Sequence, residues 1–110
     1  MQREDRIRLL HMLEAAEDAV SFSAGRHRQD LDDDRGLFYA LLYALLIIGE
    51  AATKVSAETR RQMADVPWTE IIATRNRLVH AYFNLDLDTL WKAVTEDLPI
   101  LIRELEQALR

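Results

Sequence analysis

Leu37-Phe38-Tyr39-Ala40-Leu41-Leu42-Tyr43-Ala44-Leu45-Leu46-Ile47-Ile48 is the stretch on which the fold turns. It contains no charge and none of the apolar–polar alternation that marks a half-buried strand. With its flanks it reads as a helix from Asp34 to about Val55. A helix apolar nearly all round has to be covered on more than one side. Periodicity leaves two covers open: the chain's own helices around a central rod, or a second copy of the chain. The run falls short of the roughly 20 apolar residues that a membrane span requires.

Working outward, Asp5 to about Phe22 reads as a first helix with Leu9, Leu13, Ala16 and Val20 on one face, and Gly25 closes it. His11 within it reads as a surface histidine. Asp30, Asp32 and Asp34 have the spacing of a calcium loop, but the glycine comes one place late at Gly36. The twelfth position is Leu41, where a bidentate glutamate is needed, so calcium is rejected. These acids suit the positive end of the following helix instead. Ser56 caps a short helix through Arg61, and Asp65-Val66-Pro67 resets the chain. A further helix runs from Trp68 to about Tyr82. After a connector capped by Asp86 or Asp88, Leu87, Val94, Leu98, Leu101, Leu105 and Ala108 keep one helical phase. Pro99 lies inside that stripe and predicts a kink or a fresh start near Asp97. Trp68 and Trp91 read as core. The expected architecture is all-α: an up-and-down bundle of four or five helices, one domain over residues 1–110.

Composition narrows the function. The chain has 110 residues, 49% of them apolar, with three glycines and two prolines, which suits a compact helical protein. There is no cysteine, so thiol nucleophiles and cysteine metal sites are excluded. No Glu-x-x-His occurs, which removes a di-metal carboxylate bundle. Met1 to Arg8 is mostly charged and no apolar leader follows, so a cytoplasmic location is expected. A formal net charge of −5 argues against broad nucleic-acid binding. Any RNA contact must come from a few cations, for which Lys54, Arg60, Arg61, Arg75 and Arg77 are candidates.

The chemistry concentrates in Arg75-Asn76-Arg77-Leu78-Val79-His80-Ala81-Tyr82. Trp68, Ile72, Val79 and Tyr82 form the predicted buried stripe of their helix, and Arg75 stands in the middle of it. A guanidinium there needs a partner or a task. Asn76 and His80, four apart, make a second polar line. At about 100° per residue Arg75 and His80 are roughly 140° apart, too far for a local pair. They converge only if the helix frays near His80, if Arg75 reaches round, or if two chains meet. Gly49 beside Glu50 permits close helix approach, and Glu50 is placed to orient Arg75 or His80. From the residues alone, Arg75 and His80 also fit an internal polar network that holds the bundle, and Tyr82 fits a core aromatic.

Arg75, polar Asn76, three residues and His80 resemble the Arg-polar-x3-His signature of HEPN-domain ribonucleases. With Tyr82 the run matches the Arg-x4-His-x-Tyr form of HepT, the toxin of MNT/HepT toxin–antitoxin systems. Ile47 to Ala52, Pro67 to Ile72 and Glu96-Asp97-Leu98-Pro99 resemble HepT segments in the same order. The resemblance implies a HEPN-like homodimer, which favours a second copy as the cover of the apolar helix. It implies a toxin that cleaves RNA, with tRNA as the suspected substrate. Arg75, Asn76 and His80 would be catalytic, with Glu50 and Arg77 as possible support. It also implies AMPylation of Tyr82 by an MntA-like nucleotidyltransferase antitoxin. No cofactor or metal is called for: RNA carries its own nucleophile in the 2′-hydroxyl, histidine moves protons near neutrality and arginine matches phosphate oxygens. The competing reading is a catalytically silent HEPN dimer that docks a nucleotidyltransferase.

Overall fold

The computed structural model describes residues 1–81 and 84–110, and among these all regular structure is helical. The elements are α1 (Arg3–Ser23), α2 (Asp30–Asp33), α3 (Arg35–Thr53), α4 (Ala57–Gln62), α5 (Trp68–Ala81), α6 (Leu87–Lys92) and α7 (Leu98–Ala108). A π-helical stretch, Ala93–Asp97, joins α6 to α7. The molecule is therefore the expected all-α bundle: α1, α3, α5 and the α6–α7 rod, with α2 and α4 as short connectors.

Local chemistry sets the boundaries. Asp34 accepts from the Leu37 amide at 3.1 Å and starts α3, while Arg26 clasps Asp34 at 2.8 Å and Asp30 at 3.3 Å. Gly25 ends the α1 region in the left-handed conformation (φ 73°) that glycine adopts without a Cβ penalty. Ser56 caps α4 by accepting from the Thr59 amide at 3.3 Å, and Asp86 caps α6 by accepting from the Asp88 amide at 2.9 Å. Pro99 falls in the first turn of α7, where its missing N–H costs nothing. The wider π-helical turns absorb the break ahead of it, and the Thr95 hydroxyl donates to the Trp91 carbonyl at 2.8 Å.

The core lies between α1, α3 and the last rod. Leu9, Met12, Ala16 and Ala19 meet Leu41, Ile48 and Ala52, closed by Val94 and Leu105. Alanines on both helices allow α1 to lie close along α3, and burial of each large side chain contributes roughly 1.5–3 kcal/mol. One charge is sealed into this packing. Asp5, 3% exposed, accepts from the Ser56 amide at 2.9 Å and from the hydroxyls of Ser56 and Thr59, each at 2.6 Å. It ties the start of α1 to the segment after α3, so α1 and α3 run in opposite senses.

α3 has 19 residues and by length and composition alone passes for a membrane span. Its packing against α1 and α5 accounts for much of that apolarity. The rest is open. The molecule measures 42 × 29 × 19 Å, two helix layers thick given a helix diameter of about 10 Å. On the outer side of α3, Tyr39 and Tyr43 are 55% and 64% exposed.

Candidate functional site

The site rests on how α5 is fastened to α3. Trp68, buried at the start of α5, donates its indole N–H to the Met63 carbonyl at 3.0 Å. The Arg60 guanidinium lies 5.9 Å over the Trp68 ring and donates to the carbonyls of Ala52 and Val55 at 2.9 and 3.1 Å. The first turn of α5 is thus pinned to the last turn of α3. From there α5 runs back along α3, and the two helices come closest where Arg75 lies on Gly49. A Cβ at position 49 would overlap the Arg75 side chain and stand 3.3 Å from its Cα. Only glycine permits this approach.

Its stem spent on Gly49, Arg75 delivers the guanidinium to the edge of the interface, with its side chain 28% exposed. The Nε–H donates to Glu50 Oε2 at 2.9 Å, and Nη2 lies 2.6 Å from the same oxygen. Nη1 donates to Asn76 Oδ1 at 2.9 Å. Three of the five guanidinium N–H groups are then engaged, and two remain without a partner among the described residues. The fork is held by Glu50 and Asn76 and keeps two donors to spare. Because both partners are partly exposed, the ion pair contributes at most about 1 kcal/mol to stability. Its effect is to fix direction.

Of the residues singled out from the sequence, the structure brings Glu50, Arg75 and Asn76 together, with Glu50 reaching Arg75 as its neighbour Gly49 suggested. His80 is exposed, and α5 stays regular through Ala81, so fraying before that point does not swing it toward Arg75. Asn76 sits one turn before His80 on the same line, and its side-chain oxygen is bonded to Arg75. Arg77 is exposed and donates to Thr74 Oγ1 at 3.3 Å. Tyr82, and with it the far end of the predicted stripe, lies outside the described residues.

The stripe itself needs one correction. Val79 is 45% exposed, and Leu78, at 5%, takes the buried position. The close Gly49–Arg75 approach sets the rotation of α5 and turns its inner face toward Leu78. Val79 is left in a groove of about 380 Å³ whose floor is α3. Tyr43, Leu46 and Ile47 line it with Val79, and Arg8 and His11 from α1 join Glu50 and Lys54 there. Nothing along the chain marks Arg8 and His11 for this groove, since α1 meets α3 only through folding.

Comparison with known proteins gives this geometry a family. The model of the family "Ribonuclease HepT-like" matches residues 12–108. The chain is 35% identical over 105 residues to "Putative RNase MJ1380" of Methanocaldococcus jannaschii, covering 96% of each chain. It is 35% identical over 107 residues to "Probable ribonuclease HepT" of Thermococcus cleftensis, covering 97% of each. "Putative RNase TTE0752" of Caldanaerobacter subterraneus is 30% identical, with 93% of this chain and 91% of the relative covered. No solved structure matches the chain. A family match over nearly the whole chain, falling on the helices that carry Glu50, Arg75, Asn76 and His80, leads to one conclusion: the chain belongs to the HepT-like ribonuclease family.

Proposed function

We propose that this chain is the toxin of a toxin–antitoxin pair and an endoribonuclease, acting as a homodimer on cytoplasmic RNA, with tRNA as the suspected substrate. The observation that carries this reading is the Arg75 fork, anchored by Glu50 and Asn76 and left with two N–H groups that have no partner among the described residues. Two guanidinium donors can serve two non-bridging phosphate oxygens.

Cleavage needs a base, an acid and positive charge at the pentacoordinate phosphorus. One protomer supplies one motif histidine, so a pair of protomers supplies both proton carriers. His80 of one removes the 2′-hydroxyl proton, and the 2′-oxygen attacks phosphorus. The bond from phosphorus to the 5′-oxygen breaks, and the partner's protonated His80 gives that oxygen its proton. The products are a 2′,3′-cyclic phosphate and a 5′-hydroxyl end. Arg75 stabilises the charge that grows on the phosphoryl oxygens, and Asn76 orients His80 or donates to one of those oxygens. No cofactor enters the scheme. The second copy docks on the open side of α3, where Tyr39, Tyr43 and Val79 present apolar surface.

Control follows from the same charge. A nucleotidyltransferase antitoxin attaches AMP to Tyr82: the phenolic oxygen attacks the α-phosphate of ATP and pyrophosphate leaves. The added phosphate, near Arg75, would occupy the substrate's place. Incubation of the purified protein with labelled tRNA in EDTA tests the reading. Cleavage is expected to persist, to fall about 10²–10³-fold in Arg75→Ala, and to fall about 10²–10⁴-fold in His80→Ala. Intact RNA under every condition from a confirmed dimer would overturn it in favour of a silent docking protein.

A further inference from the structure

The groove over α3 has two unlike ends. Toward Tyr43 and Val79 it is apolar, the end assigned above to the second copy. Toward Lys54 it is basic, with Arg8 and His11 rising from α1 on the other wall. Between the two stands Glu50, whose Oε2 takes both contacts from Arg75 and whose charge is thereby matched. Arg8 and Lys54 form no ion pair among the described residues, whereas Arg26, Arg28 and Arg75 all do. In a chain of net charge −5, this is a patch of uncompensated positive charge adjoining the Arg75 fork.

From this we infer that Arg8, Lys54 and His11 form a binding track for the phosphates of single-stranded RNA next to the scissile position. The inference rests on the ribonuclease reading for the identity of the strand. A strand whose scissile phosphate sits on the Arg75 tip passes Glu50 and enters this end of the groove. Its neighbouring phosphates then meet Arg8 from α1 and Lys54 at the C-terminal end of α3, both lining the groove with the aliphatic Leu46, Ile47 and Ala51. Cations beside an apolar floor suit an extended single strand, whose phosphates meet the charges while its bases lie on apolar surface. The track lends the acidic protein affinity for RNA without a broad basic surface, and it holds substrate while leaving the chemistry to Arg75 and His80.

The test uses the full-length protein and a fluorescein-labelled oligoribonucleotide carrying 2′-O-methyl groups, which binds but cannot supply the nucleophile. Anisotropy is read across a salt series for wild type, Arg8→Ala/Lys54→Ala, and Arg103→Ala/Arg110→Ala as a charge-matched control on α7 and the terminus. The groove variant is expected to bind about tenfold more weakly, with the slope of log K against log salt reduced by about 1.4, two single-strand phosphate contacts. The control pair should keep the wild-type slope. On cleavable RNA the groove variant should raise KM and leave kcat in place. An unchanged slope, or an equal loss in the control pair, overturns the track. If wild-type protein cleaves no RNA but the groove variant alone loses its salt slope, the nuclease reading fails and the track stands. If wild type cleaves and the groove variant matches it in KM, the track fails and the nuclease reading stands.

Discussion

Asp5 and Arg75 are both charges built into the helix packing of this molecule, and they are built differently. Asp5 is closed: a carboxylate 3% exposed, with three donors converging on it. Arg75 is open: its stem is pressed on Gly49 and its head, held by Glu50 and Asn76, keeps two N–H groups without a partner among the described residues. A closed charge serves the fold, because it is out of reach of water and both its oxygens are bonded by the protein. A half-satisfied cation keeps capacity for a ligand, and under the proposed function this distinction separates a charge that holds the bundle from one that meets substrate.

Gly49→Ala strikes the open charge hardest. The new methyl overlaps the Arg75 side chain, so α5 must move from α3. Overpacking costs about 1–3 kcal/mol, against which the better helix propensity of alanine returns up to about 1. Displacing the fork by even an ångström is expected to lower RNA cleavage about 10²-fold, read against melting temperature on the same preparation. Full activity in this variant would mean that the Gly49–Arg75 approach does not place the fork.

Asp5→Ala is the matching blow to the closed charge. It strands the Ser56 amide and two hydroxyls, and is expected to cost about 1–3 kcal/mol in urea unfolding at pH 7, with cleavage per folded molecule unchanged. The effect carries a pH signature. The Ser56 hydroxyl first, then the Thr59 hydroxyl and the Ser56 amide, hold the Asp5 carboxyl below its ordinary 3.8, against the opposing push of burial. A folded pKa below the unfolded one stabilises the protein fully above the unfolded value and less as pH falls through the folded value. The gap between wild type and Asp5→Ala should therefore narrow below pH 3.8. A constant gap would show that the carboxylate charge plays no part.

The contrast also explains what was legible in the sequence. Features set by neighbours along the chain could be read: the Ser56 and Asp86 caps, the restart at Pro99, the apolar run of α3. Arg75 was conspicuous because it breaks a period, and Glu50 because it adjoins a glycine on an apolar surface. Asp5 gave no such signal. It looks like any acid in the first turn of a helix, and its donors lie 51 and 54 residues away. Leu78 and Val79 are neighbours 100° apart near the edge of one face, so a modest rotation of α5 decides which is buried. That rotation is fixed by Gly49, on another helix, and Arg8 and His11 reach the groove only through the antiparallel pairing of α1 with α3.

Glu50→Gln sharpens the comparison with a smaller effect. The charge leaves but a hydrogen-bond acceptor stays beside Arg75. Stability should change by less than about 1 kcal/mol, since the pair is partly exposed. Cleavage should fall by about three- to tenfold, roughly the 1 kcal/mol or so by which one charge-assisted bond exceeds a neutral one. A loss of stability with no loss of rate would move the Arg75–Glu50 pair into the structural class with Asp5.

Arg77→Ala is the mildest test and the one that bears on direction. Arg77 stands two residues beyond Arg75, about 200° round the helix, and its one bond among the described residues is to Thr74 at 3.3 Å. Nothing fixes its head toward the fork, so its support to substrate is limited to attraction through solvent. Such attraction fades over a Debye length of about 8 Å at physiological salt. The expected result is a KM two- to threefold higher at low ionic strength, an unchanged kcat, and no difference from wild type at about 1 M salt, where screening is nearly complete. A salt-insensitive loss as deep as that of Arg75→Ala would show that an unanchored cation serves as well as an anchored one, and the distinction between an aimed charge and a merely present one would fall with it.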